Sequence, residues 1–128
     1  MKLELSKINV KDIDPKIKSE LMKQIERDFL RAGYSFRFTD KRVKSVELKN
    51  QLDSILLNLK EPKSKLLQLL YIIDVPEKQF KELLAVDDYG EFIEAFSTVI
   101  LKREIQKVLI RRYYASMNQA DSDDNLIK

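Results

Sequence analysis

DDYGEFIEAFSTVILKREIQKVLIRRYYASM, residues 87–117, is the stretch on which the fold turns. Asp88 followed three residues later by Glu91 resembles a capping box with Asp in the Ser/Thr place. From Glu91 to Met117 there is neither proline nor glycine. The spacing therefore predicts one unbroken helix, about 45 Å long at 1.5 Å per residue. Its apolar residues fall into two stripes. Phe92, Phe96, Val99, Ile100, Ile110 and Tyr114 make the first, and Leu101, Ile105, Val108 and Leu109 make the second, roughly opposite. A helix apolar on two faces lies between layers of its own domain or gives one face to another chain. The second stripe, with Arg112 beside it, is accordingly the candidate partner interface. A second copy of the chain is the favoured partner, making a homodimer.

Working outward, Pro76 opens a short helix whose inner face is Phe80, Leu83 and Leu84. Before it, Leu66 to Ile73 is apolar nearly all round. A helix of that kind must be covered on most sides, so it is the expected centre of the core. Glu61-Pro62 ends one helix and begins the next. The earlier one starts near Ser45 and aligns Leu48, Leu52, Ile55, Leu56 and Leu59. Asp14-Pro15 is a strong helix start, because Asp caps free N–H groups and proline loses nothing at the first position. Ile17, Leu21, Ile25, Phe29 and Ala32 follow on one face, and Gly33 suits a left-handed end. Two segments alternate apolar with polar residues, as strands do: 2–13, with Leu3, Leu5, Ile8 and Val10, and 34–39, with Tyr34, Phe36 and Phe38. The first reads as a strand or extended arm, the second as its strand partner or an irregular link. Residues 118–128 are polar and read as a disordered tail. The expected fold is thus mainly α. It is a compact bundle of four to five helices with a long C-terminal helix, in a single domain over 1–117, with a short N-terminal β-strand pair as its only β element.

Composition narrows the chemistry. Among 128 residues there is no histidine and no cysteine. That removes imidazole acid–base chemistry, thiolate nucleophiles and zinc sites of the usual N/S kind. The two glycines are isolated, so no glycine-rich phosphate loop exists. No catalytic residue, cofactor or metal is expected. Absent cysteine fits a reducing compartment, and a cytosolic location is expected. The N-terminus lacks the apolar run of a signal peptide, and the longest apolar run, Leu69 to Ile73, is far below the ~20 residues a membrane span needs. The net charge of +3 is unevenly spread. Residues 1–50 hold 13 basic and 8 acidic side chains, and residues 51–100 hold 5 and 9.

Three groups merit weighing as functional. Tyr34, Arg37, Lys41, Arg42 and Lys44, with Phe36 and Phe38 interleaved, have the mix that stacks on bases and meets phosphates. In a strand the same aromatics would simply point inward. Lys107, Arg111, Arg112, Tyr113 and Tyr114 make the end of the last helix basic, which the helix dipole favours in any protein. Asp87, Asp88, Glu91 and Glu94 are better explained by N-capping than by a cation. Arg103 is odd, because it falls on the first apolar stripe and needs either a carboxylate partner or a path to water. The resulting expectation is a non-enzymatic helical interaction module. The alternative is a nucleic-acid-binding accessory protein that uses 34–44 and the basic helix end, Arg111 included. A third reading is a helical domain holding a small apolar ligand in its core.

Overall fold

A computed structural model describes the backbone of residues 14–38 and 45–127, and the side chains of 14–38 and 47–118. These residues form α1 (Pro15–Arg31), α2 (Ser45–Leu59), α3 (Lys63–Leu66), α4 (Leu69–Ile72), α5 (Glu77–Leu84) and α6 (Tyr89–Ile127). The fold is mainly helical, with no strand among the described residues. Residues 1–13 lie outside them, so the arm proposed there has no described counterpart. The segment 34–38 is non-helical and pairs with no described strand, yet its side chains still alternate. Phe38 is buried, Tyr34 and Phe36 are half-buried, and Ser35 and Arg37 are exposed.

Local chemistry sets the helix ends. Asp14 Oδ1 accepts from Ile17 N at 2.9 Å, and proline occupies the first turn of α1. After Arg31 the chain turns through Gly33 at φ +93°, a conformation cheap only for glycine. Asp88 caps α6 by accepting from Glu91 N at 2.9 Å. Lys63 braces the far end of α5, donating to the carbonyls of Leu84 at 2.7 Å and Val86 at 2.6 Å. Its ammonium also stands 5.2 Å from the Phe92 ring centre. A cation at free C-terminal carbonyls is favoured by the helix dipole.

Leu66–Ile73 is not one helix. It is two single turns, α3 and α4, joined through Leu67 and Gln68 by tighter bonds such as Leu70 N to Leu67 O at 3.1 Å. The break turns Leu66, Leu67, Leu69, Leu70 and Ile73 all into the core, while Tyr71 faces out. Leu84, expected inside, is exposed as well.

The long helix α6 runs on to Ile127, past the end expected near Met117, since nothing in the sequence breaks it. The backbone of 118–127, read from sequence as a disordered tail, is helical. The helix packs against α1, α2 and α5. Phe92, Phe96 and Ile100 of its first stripe are buried, and so are Leu101, Ile105 and Val108 of the second. Leu109 is partly buried against the same core. The second stripe is therefore covered by the chain's own helices, the internal-layer alternative for a two-faced helix. No helix among the described residues is long and apolar enough to cross a membrane.

Candidate functional site

The least expected feature lies along the α1–α6 seam. Glu20, Gln24 and Asp28 recur at four-residue spacing and so share one face of α1. Opposite them stand Arg112, Arg111, Lys107 and Glu104 of α6. Rising numbers on α1 meet falling numbers on α6, so the helices run antiparallel. Arg112 grips Glu20 with two bonds, Nε to Oε2 at 3.0 Å and Nη2 to Oε1 at 2.8 Å. Arg111 Nη1 donates to Gln24 Oε1 at 3.0 Å, and Gln24 Nε2 donates onward to Asp28 Oδ1 at 3.1 Å. Lys107 Nζ lies 2.8 Å from Asp28 Oδ2 and 3.5 Å from Glu104 Oε1. Arg31 reaches Asp28 Oδ1 at 3.6 Å from the solvent side.

Glu104 is fully buried, at 0% exposure. As a carboxylate it would leave Oε2 with no hydrogen-bond partner. Burial, helped by the hydrogen bond and the negative charge of Asp28, pushes the Glu104 carboxyl up to about 9. It therefore carries a proton at neutral pH. Burial pushes Asp28 up too, but hydrogen bonds from Glu104, Lys107 and Gln24 and the Lys107 charge bring it below the ordinary value. At its buried end the seam thus holds one neutral acid, one carboxylate and one ammonium, Glu104, Asp28 and Lys107, whose charges cancel. Two carboxyls sharing a proton is an arrangement used in catalysis. Here neither is reachable, because Asp28 and Glu104 are sealed between packed helices, so the seam is a docking device for α1.

The sequence-derived sites come apart. Arg112 and Arg111, read as partner or phosphate contacts, are engaged with α1. Leu101, Ile105 and Val108 are core, with Leu109 half-buried beside them. Lys41, Arg42 and Lys44 lie outside the described residues. Tyr34 is partly buried and packed on the core. Arg37 is exposed and without an ion pair among the described residues, whereas Arg111, also exposed, is held by the Gln24 amide. Arg103 resolves as a brace: its guanidinium donates to Ile73 O at 3.3 Å and meets Asp74 at 3.4 Å, where Asp74 turns the chain at φ +61°. Asp87, Asp88, Glu91 and Glu94 are exposed, and the described residues contain no cluster fit to hold a metal ion. Sequence reading passed over Glu104 and Asp28. One signal was present: Glu104 sits amid Leu101, Ile105 and Val108 at helical spacing, on the face that ought to be apolar.

Three surface cavities remain, the first about 420 Å³ and lined by polar residues of α2 together with Ile55 and Arg37. A second, of about 280 Å³, between α4 and α5, is lined by Leu70, Tyr71, Val75, Glu77 and Phe80. A third, of about 220 Å³, lies between the end of α1 and the extended segment after it. No protein-family model matches this chain, and no curated protein or solved structure is significantly similar to it.

Proposed function

We propose that the chain is a non-enzymatic protein-interaction module that takes an apolar, lysine- or arginine-flanked helix of a partner protein into the α4–α5 groove. The carrying observation is Tyr71. Its side chain stands 74% exposed at the groove's edge, its ring 5.5 Å from that of Phe80. A large aromatic left in water beside an apolar cavity is the usual form of a binding anchor. Leu84 continues the apolar strip one turn beyond Phe80 and is 47% exposed. Such a strip suits the apolar teeth of an amphipathic helix. Charge selects the kind of helix. Glu77 lines the groove, its exposed carboxylate only loosely met by Lys81 at 3.9 Å, and residues 51–100 hold 9 acidic against 5 basic side chains. A cationic flank is complementary to that surface. Self-association through Leu101, Ile105, Val108 and Leu109 forms no part of the proposal, because those side chains already fill the chain's own interior.

The test is an NMR titration with an amphipathic Leu/Lys helical peptide and its Leu/Glu counterpart. Shifts centred on Tyr71, Val75, Phe80 and Leu84, seen with the lysine peptide and abolished by Tyr71→Ser, are expected. Glu77→Gln should weaken binding of the lysine peptide and leave the leucine contacts in place. Equal binding of both peptides, or shifts centred elsewhere, would refute the groove. A wild-type dimer dissociated by Tyr71→Ser in sedimentation equilibrium would assign the groove to a second copy and overturn the partner named here.

A further inference from the structure

The pocket at the end of α1 has a different chemistry. Its lining is Glu26, Arg27, Leu30, Ser35, Phe36 and Arg37. Arg27 and Arg37 come from different segments, both are exposed, and neither has an ion pair among the described residues. Leu30 is 60% exposed, an apolar wall left open to water. Phe36 is held in place from behind, edge-on to Phe29 with ring centres 5.0 Å apart and to Phe38 at 5.4 Å. Glu26 fixes the segment's course by accepting from Phe38 N at 3.4 Å through Oε1. Lys23, one turn before Arg27 on α1, is also exposed and extends the cationic track along the helix.

From this arrangement we infer that the pocket is a binding site for single-stranded nucleic acid. One unstacked base enters against Leu30 and Phe36, and Arg27 and Arg37 meet the phosphates on either side. A preformed apolar wall with flanking guanidiniums is the usual means of holding a splayed base and its backbone. Glu26 adds selectivity. Its carboxylate accepts hydrogen bonds only, so it favours a base with an amino edge, such as guanine or cytosine, over uracil or thymine. A duplex keeps its bases stacked and cannot fill the pocket. Arg111 and Arg112 are not part of this site, since they are committed to α1. The site is separate from the α4–α5 groove, and either can fail without the other.

Fluorescence anisotropy with short labelled RNA and DNA strands at low salt tests the inference. The expected result is binding that is weakened about tenfold or more by Arg27→Ala combined with Arg37→Ala. The dependence of log affinity on log salt should also fall by about 1.4, as for two lost phosphate contacts on a single strand. Arg27 and Arg37 are exposed, so the double variant should melt like the wild type. Leu30→Ala, which removes no charge, should weaken binding as well, and Glu26→Gln should lessen a preference for oligo(C) over oligo(U). Undetectable binding at low salt, or binding untouched by the double substitution, would overturn the inference. So would equal affinity for a duplex, since this indicates charge attraction alone. Displacement of the strand by an equal concentration of a mononucleotide would overturn the claim to a strand.

Discussion

A carboxyl group shut away from water, as Glu104 is, keeps its proton chiefly because burial penalises the charged form, and the hydrogen bond and negative charge of Asp28 add to that. Folding is then linked to pH in a definite direction. Between the unfolded value near 4.5 and the folded value of about 9, the folded chain holds a proton that the unfolded chain has lost. Stability contributed by this group is complete below the unfolded value and falls as pH rises through the window. Asp28 has the opposite sign. Its folded value is lowered, so its contribution is present above its ordinary value of 3.8 and is lost on acidification. Denaturant melts from pH 5 to pH 9 should show declining stability, and Glu104→Gln should flatten the decline while leaving the chain folded. A wild type whose stability is level across that range would contradict the protonated assignment. Glu104→Ala should be worse than Glu104→Gln, because it leaves a void and removes a donor from Asp28.

At the scale of elements, the short helices α3 and α4 contribute more to the core than their length suggests. The break between them lets five of eight residues from Leu66 to Ile73 be buried, which a single continuous helix would not achieve as readily. Leu70 is nearly inaccessible, and Leu70→Ala should cost ~2–5 kcal/mol in denaturant melts. A loss no larger than the ±0.5 kcal/mol typical of surface changes would place the core elsewhere. Lys63 is a subtler case. Its ammonium serves carbonyls at the end of α5 that have no helical donor. Lys63→Met should lower stability by about 1–2 kcal/mol, even though a methionine covers Phe92 equally well. Thermal melts of Lys63→Met beside the wild type read the loss of carbonyl capping with the cover over Phe92 kept.

For the whole molecule, α6 is the shared wall against which α1, α2 and α5 pack. Ile105→Asp would bury a charge without a partner in that wall, so it should unfold the chain rather than separate subunits. Circular dichroism of this variant beside the wild type, with sedimentation equilibrium, reads both outcomes. A folded variant of reduced mass would return Leu101, Ile105 and Val108 to an interface. Helix starts at Asp14-Pro15, Pro62, Pro76 and Asp88, and the turn at Gly33, were legible in the sequence. Caps, prolines and left-handed glycines act over three or four residues, and their partners are neighbours in the chain. The helical class was legible for the same reason, from spacing alone. The use of each face was not. Whether the second stripe of α6 faces a neighbour or its own domain depends on which helices return to cover it. The decisive pairs join residues far apart, 79 positions from Asp28 to Lys107 and 92 from Glu20 to Arg112. No local pattern announces such a pair, since an arginine at a helix end reads the same whether it meets a glutamate or water. The sequence by itself determined the helices and their ends, because those energies are local. The tertiary structure alone decided that Glu104 is neutral, that the second stripe is core and that Arg27 and Arg37 flank one pocket, because burial and charge pairing belong to surfaces that exist only once the helices have met.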